Sequence, residues 1–71
     1  MAPDIKKKLG NRIRALREER GWSQVEMADL FAMHRGYLSE LETGKRDPSL
    51  STLQTLAEGF DISISELLRG L

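Results

Sequence analysis

The chain has no cysteine among its 71 residues, which excludes a disulfide framework and any thiolate metal site. That suits a reducing compartment, and a cytoplasmic setting is expected. No apolar run approaches the ~20 residues a membrane-spanning helix needs. The opening MAPDIKKKLG has a basic patch but no apolar segment behind it, as a secretory leader would have. Net charge is missing too: 11 basic residues face 11 acidic ones, which argues against a strongly electrostatic nucleic-acid binder. There is no Gly-rich phosphate loop, no nucleophile with a base at usable spacing and no cluster of metal ligands, and His34 is the single histidine. Catalysis, metal and cofactor are therefore not expected.

Residues 1–71 make one small domain, without internal repeat, low-complexity run or long linker. A core of that size is marginal unless the helices pack well or a partner helps, and dimerisation would help. The charge is also unevenly spread. Residues 1–20 hold seven bases and three acids, and residues 21–71 hold four bases and eight acids. The field is asymmetric, so phosphate contacts would come from a few placed groups.

Helical signals fill the chain. Asp4 is a fitting N-cap for a first helix that runs to Glu19 or Arg20 and stops at Gly21, with Ile5, Leu9, Ile13 and Leu16 as its inner stripe. Lys6 to Lys8 are a solvated run or, less simply, phosphate contacts. Ser23 and Glu26 form a capping box, so the second helix begins near Gln24 and turns Met27, Ala28 and Phe31 inward. Trp22 just before it suits the core or a hydrophobic staple better than a nucleic-acid contact. After Ala32 and Met33, Leu38 and Leu41 supply an inner edge, while Arg35, Gly36, Ser39, Glu40 and Thr43 share the outer side. Gly44 fits a left-handed cap and Pro48 blocks helix continuation. A fourth helix follows the Ser49 cap with Leu50, Leu53, Leu56, Ala57 and Phe60 inward, closed by Gly59 and Asp61. Ser63 and Glu66 give a second capping box, opening a helix with Ile64, Leu67 and Leu68.

Ser23-Gln24, Met27-Ala28, Tyr37-Leu38-Ser39, Leu41-Glu42, Gly44 and Pro48 together resemble the phage-repressor-type helix-turn-helix family, also called the Cro/C1 or xenobiotic-response-element family. The likeness extends back through Leu9-Gly10-Asn11-Arg12-Ile13-Arg14 and forward through Leu50, Leu53, Ala57 and Ile62 to Leu68, so it covers nearly the whole chain. Met33 to Leu38 resembles restriction-modification controller proteins in particular. The fold this implies is all-α, a compact five-helix lambda-repressor-like DNA-binding domain with its helix-turn-helix motif at about residues 23–43. Two positions depart from the family pattern. Ala32 stands where glycine is usual, so the turn carries a steric cost or takes another shape. His34 stands where serine often caps the recognition helix, which makes that cap unusual.

The resemblance implies double-stranded DNA as the partner, a homodimer on a near-palindromic operator, transcriptional regulation, and no membrane or small-molecule ligand. It places the recognition helix in the major groove. Arg35 is then the best base reader, because a guanidinium can take both O6 and N7 of guanine. Glu40 can accept from cytosine N4 and would repel a misplaced phosphate; Ser39 and Thr43 are adaptable groups on the same face, His34 meets a base or phosphate, and Gly36 permits close approach. Gln24 and Ser23 at the start of the second helix face phosphate, with Lys45 and Arg46 as clamp candidates in the following loop, whose other reading is a merely solvated segment. Tyr37 either points its hydroxyl to phosphate or packs inside. Arg17 and Glu42 correspond to a family ion pair, partly buried, that fixes helix geometry more than it adds stability. Phe60, Ile64 and Leu68 fall where relatives form the dimer seam, or else they are ordinary core. Relatives with a sensing or self-cleaving domain continue past the fifth helix, so this chain is either controlled by concentration and dimerisation or a piece of a longer regulator. A protein-interaction module, antitoxin or adaptor, is the competing reading, kept open by the zero net charge.

Overall fold

The computed structural model describes residues 4–71; of the domain read as residues 1–71, the first three lie outside the described residues. Five helices follow in order: α1 (Ile5–Glu19), α2 (Gln24–Leu30), α3 (Arg35–Glu42), α4 (Leu50–Phe60) and α5 (Ile64–Leu67). Among the described residues there is no strand, and no helix is long and apolar enough to cross a membrane.

Four of the helices begin on a short polar side chain. Asp4, Ser23, Ser49 and Ser63 each accept a hydrogen bond from a first-turn N–H, a contribution of about 1 kcal/mol apiece. At Ser23 the bond is reciprocated by Glu26. At Ser63 it is not, because the Glu66 carboxylate turns instead to Arg69 Nη2 at 3.0 Å. The second capping box is therefore a single cap.

One device closes α1 through α4. Gly21, Ala32, Gly44 and Asp61 take φ of 73°, 53°, 77° and 58°, and the next residue's N–H reaches back over the last turn: Trp22 to Arg17, Met33 to Ala28, Lys45 to Glu40, Ile62 to Ala57. This is the Schellman closure, which satisfies carbonyls the helix leaves over. Ala32 thus keeps the turn and bears the steric cost. Gly59 does not close α4 as expected; it lies within the last turn, where a Cβ would overlap the Phe31 ring.

Every helix sends side chains to one core. Ile13, Met27, Leu38, Leu41, Leu56, Phe60 and Leu67 are almost wholly buried, and the Cα radius of gyration of 11.2 Å matches the ~11 Å of a single close-packed body of this length. Trp22, Phe31 and Phe60 form an aromatic trio with ring centroids 5.0–6.0 Å apart, which gives Trp22 its packing role. The same contacts overturn one expectation. Phe60 has no face left for a dimer seam, since its ring is 1% exposed between Trp22 and Phe31, with the Arg20 guanidinium 5.1 Å from its centroid. Two other core assignments also fail. Ile5 is 59% and Leu50 72% exposed; each stands in the first turn of its helix, ahead of the turns that meet the core.

Candidate nucleic-acid interface

Leu38 and Leu41, pinned in the core, fix how α3 is turned. With them inward, the helical spacing leaves Arg35, Gly36, Ser39, Glu40 and Thr43 on the outer side. Arg35, Gly36 and Thr43 are exposed, and Ser39 and Glu40 half-buried. Around Gly36 the space is open, since a Cβ there would meet nothing within 4 Å. His34 occupies the N-cap of α3 but its side chain makes no capping bond, so the first N–H groups of the helix are left to an outside acceptor.

Behind the outer row lies an anchor. Glu42, 7% exposed, is the buried charge of the core. Arg17 donates to it from Nε at 2.7 Å and from Nη2 at 3.0 Å, a two-pronged, charge-assisted pair. Gln24 Nε2 donates to the same carboxylate at 3.1 Å, and Arg17 Nη1 donates to the Trp22 carbonyl at 2.8 Å. One carboxylate thereby joins α1, the start of α2 and the end of α3. Its hydrogen bonds hold the Arg17 pKa above its ordinary value. Gln24, expected at phosphate, is half-buried with one amide N–H committed inward. The backbones close in too: a Cβ on Gly10 would stand 2.5 Å from the Leu41 carbonyl oxygen and 2.6 Å from that of Glu42. Only glycine lets α1 approach α3 so closely.

A second cluster sits on the outside. Arg46, in the loop after α3, donates to Glu40 Oε1 from Nε at 3.1 Å, and its Nη2 lies 3.0 Å from the same oxygen in an ion pair. Its guanidinium carbon lies 5.4 Å from the centroid of the Tyr37 ring, within cation–π range. The Tyr37 ring packs against the core, so of its two expected placements the ring takes the inner one and offers Arg46 a face. Thr43 Oγ1 donates back to the Ser39 and Glu40 carbonyls at 3.1 and 3.3 Å, which leaves its oxygen as an acceptor. Lys45 is exposed and in no ion pair among the described residues. At the entry to α2, Ser23 Oγ accepts from the Glu26 N–H at 3.0 Å while Glu26 Oε1 accepts from the Ser23 N–H at 2.9 Å. The Ser23 backbone N–H first, and its hydroxyl second, hold the Glu26 carboxyl below the usual carboxylate range.

The residues assigned to a dimer seam are not gathered into one patch. Phe60 is core, and Ile64 is half-buried against it. Leu68 lines a shallow apolar groove with Ile5, Leu9, Pro48, Leu53 and Leu71. Among the described residues no three of His, Cys, Asp and Glu come together as a metal would require.

Two short helices, a Schellman turn through Ala32 between them and an outward polar row on the second form a helix-turn-helix, and the chain matches the helix-turn-helix family over residues 13–67. It belongs to the Cro/C1-type helix-turn-helix family. It is similar to the HTH-type transcriptional regulator DdrOP3 of Deinococcus deserti, 44% identical over 64 residues that make up 90% of this chain and 50% of that one. It is also similar to the control protein C.MunI of Mycoplasma sp., 40% identical over 65 residues, 90% of this chain and 88% of the other. The chain thus spans half the length of the first and most of the second. The crystal structure of the restriction-modification controller protein C.AhdI from Aeromonas hydrophila superposes with a TM-score of 0.82 at 39% identity, covering 87% of this chain and 94% of that one. This family member therefore keeps the five-helix order and the motif, with alanine at the turn and histidine at the cap of α3.

Proposed function

We propose that the chain is a sequence-specific, DNA-binding transcriptional regulator that acts in the cytoplasm as a homodimer on a near-palindromic operator, with α3 in the major groove. The observation that carries this reading is the outward row of Arg35, Gly36, Ser39 and Thr43 on a helix anchored from behind by Arg17, Glu42 and Gln24. A base-reading helix must be held rigidly while its outer face stays open, and this one is. The uncapped start of α3 and the exposed Lys45 are suited to phosphate. Relatives named as regulators and control proteins support the same reading. No catalytic role is assigned.

For the dimer, the surface that fits a second copy is the apolar groove at Ile5, Leu53, Leu68 and Leu71, rather than the buried Phe60. Burying such surface is worth about 25 cal/mol per Å2, a useful gain for so small a core.

The test is selection from a pool of random duplexes at two salt concentrations, with Arg35→Ala alongside. A motif of two half-sites roughly 34–36 Å apart is expected, and Arg35→Ala should relax one position in each half, at about 1–3 kcal/mol apiece. Binding without enrichment, lost at moderate salt, would refute the reading and turn attention to a protein partner.

A further inference from the structure

Glu40 and Arg46 stand six residues apart on either side of the end of α3, yet their side chains meet on the outer face, with the Arg46 guanidinium over the Tyr37 ring. Neither is buried; the side chains are 43% and 52% exposed. This is an ion pair that water, salt or another partner can open. It also joins two groups with opposite relations to DNA, because the Glu40 carboxylate repels phosphate and the Arg46 guanidinium attracts it. While they are paired, the Nε donor of Arg46 is taken by one carboxylate oxygen, with Nη2 3.0 Å from the same atom, and the net charge offered to a backbone phosphate at that spot is close to zero.

We infer that Glu40 is a specificity-determining positioning residue that acts through Arg46: on non-operator DNA it keeps the guanidinium neutralised against Tyr37, and it releases that cation to phosphate only where a base donor takes over the carboxylate. Cytosine N4 in the major groove is such a donor. The exchange balances in hydrogen bonds, since the carboxylate trades guanidinium donors for an amino donor and the guanidinium trades a carboxylate oxygen for phosphate oxygens. On a sequence without the base donor, breaking the pair leaves Glu40 unpaired near the phosphates, so the latch stays shut. Tyr37 supports both states by offering Arg46 a face that does not compete for its N–H groups. The inference rests on the DNA-binding reading of α3 and specifies how the binding energy is divided between correct and incorrect sites.

Glu40→Gln keeps the length and an acceptor oxygen for cytosine N4 but removes the charge that holds Arg46. Its binding to a duplex of scrambled sequence, and to the selected operator, is measured against wild type from 50 to 200 mM salt, with Arg46→Ala made in both backgrounds. For scrambled duplex, Glu40→Gln should bind about two- to fivefold more tightly at 50 mM, the range an exposed ion pair can withhold. Its log–log salt slope should steepen by about 0.9, the release of one further counterion. The ratio of operator to scrambled affinity should fall, because the neutral amide accepts more weakly from cytosine N4 while Arg46 is set free on every sequence. Arg46→Ala should reduce binding to scrambled duplex more when combined with Glu40→Gln than in wild type, an effect that a merely structural Glu40 would not produce. An unchanged slope and affinity for scrambled duplex, or an equal Arg46→Ala effect in both backgrounds, would overturn the latch while leaving the regulator reading intact. Failure of wild type to prefer any sequence would overturn the regulator reading and the latch with it.

Discussion

Replacing Glu42 with alanine takes the acceptor away from three donors at once: Arg17 Nε and Nη2, and Gln24 Nε2. The Arg17 side chain is only 11% exposed, so its charge is left largely out of water with the Trp22 carbonyl as its remaining partner. Stranding one member of a buried pair costs about 3–5 kcal/mol, and the exposed edge of Arg17 favours the lower end, about 3 kcal/mol. A chain of this length has roughly 4–11 kcal/mol in total at the usual 0.05–0.15 kcal/mol per residue. Glu42→Ala should therefore lose between about a quarter and three quarters of its stability, and melt about 12–24 °C lower. The double variant Arg17→Met/Glu42→Leu strands no charge and refills the space with apolar atoms, which is often neutral. It should recover more than half of the loss, short of all of it because the Trp22 carbonyl and the Gln24 amide each lose a partner. Urea unfolding followed by circular dichroism, with the m-value compared among the three proteins, measures both effects. A single variant within about 1 kcal/mol of wild type, or a double variant less stable than the single, would refute the assignment of Glu42 as the charge that anchors α3.

Three further outcomes follow from local geometry. Ala32→Gly should stabilise the fold by about 0.5–1 kcal/mol, because a Cβ in the left-handed region costs ~1–2 kcal/mol while glycine loses ~0.5–1 kcal/mol more backbone freedom on folding; the methyl is exposed, so no packing is lost, and a lower melting temperature would contradict this. Gly10→Ala should cost about 3 kcal/mol or more in urea melts, since the new methyl would press on the Leu41 and Glu42 carbonyl oxygens and two backbones would have to part; a neutral result would mean that α1 and α3 separate easily. The Glu26 carboxyl has a folded-state pKa held below its ordinary value by the Ser23 bonds, so its stabilisation is present above the unfolded-state value, about 4.3, and is lost as pH falls through the folded-state value. Glu26→Gln should thus melt lower than wild type near neutral pH and converge with it in acid, and parallel curves at every pH would exclude the linkage.

What the sequence made legible was local. Asp4, Ser23, Ser49 and Ser63 each announce a helix because a short acceptor ahead of an apolar-periodic run has one good use, and Gly21 and Gly44 announce two of the ends. The inward edge of α3 was legible from Leu38 and Leu41 for the same reason, and with it the outer row. Periodicity, however, gives the face of a helix and not where its neighbours stop, so Ile5 and Leu50 read as core although nothing covers them. Phe60 reads as either core or dimer seam because the ring contacts with Trp22 and Phe31 join residues 38 and 29 positions apart. Gly10 carried no signal beyond being small, and its meaning appears only once the α3 backbone lies against it. Arg17 and Glu42, 25 positions apart, were paired by resemblance and not by spacing.

Net charge says little about the outer side of α3, and the reason is where the charges sit. A count of 11 against 11 treats every acid as a repellent to DNA. Yet of the two acids on α3, Glu42 is buried beneath Arg17 and Glu40 is covered by Arg46, while Arg35 on the same helix and Lys45 just after it make no ion pair with any described residue. Asp47, the next acid along, borders the apolar groove beside Ile5 and Leu68. The local balance at the reading helix is therefore positive although the sum over the chain is zero. Pairing the acids of α3 with Arg17 and Arg46 lets a neutral domain present other cations at one surface without the indiscriminate affinity that a basic one would carry.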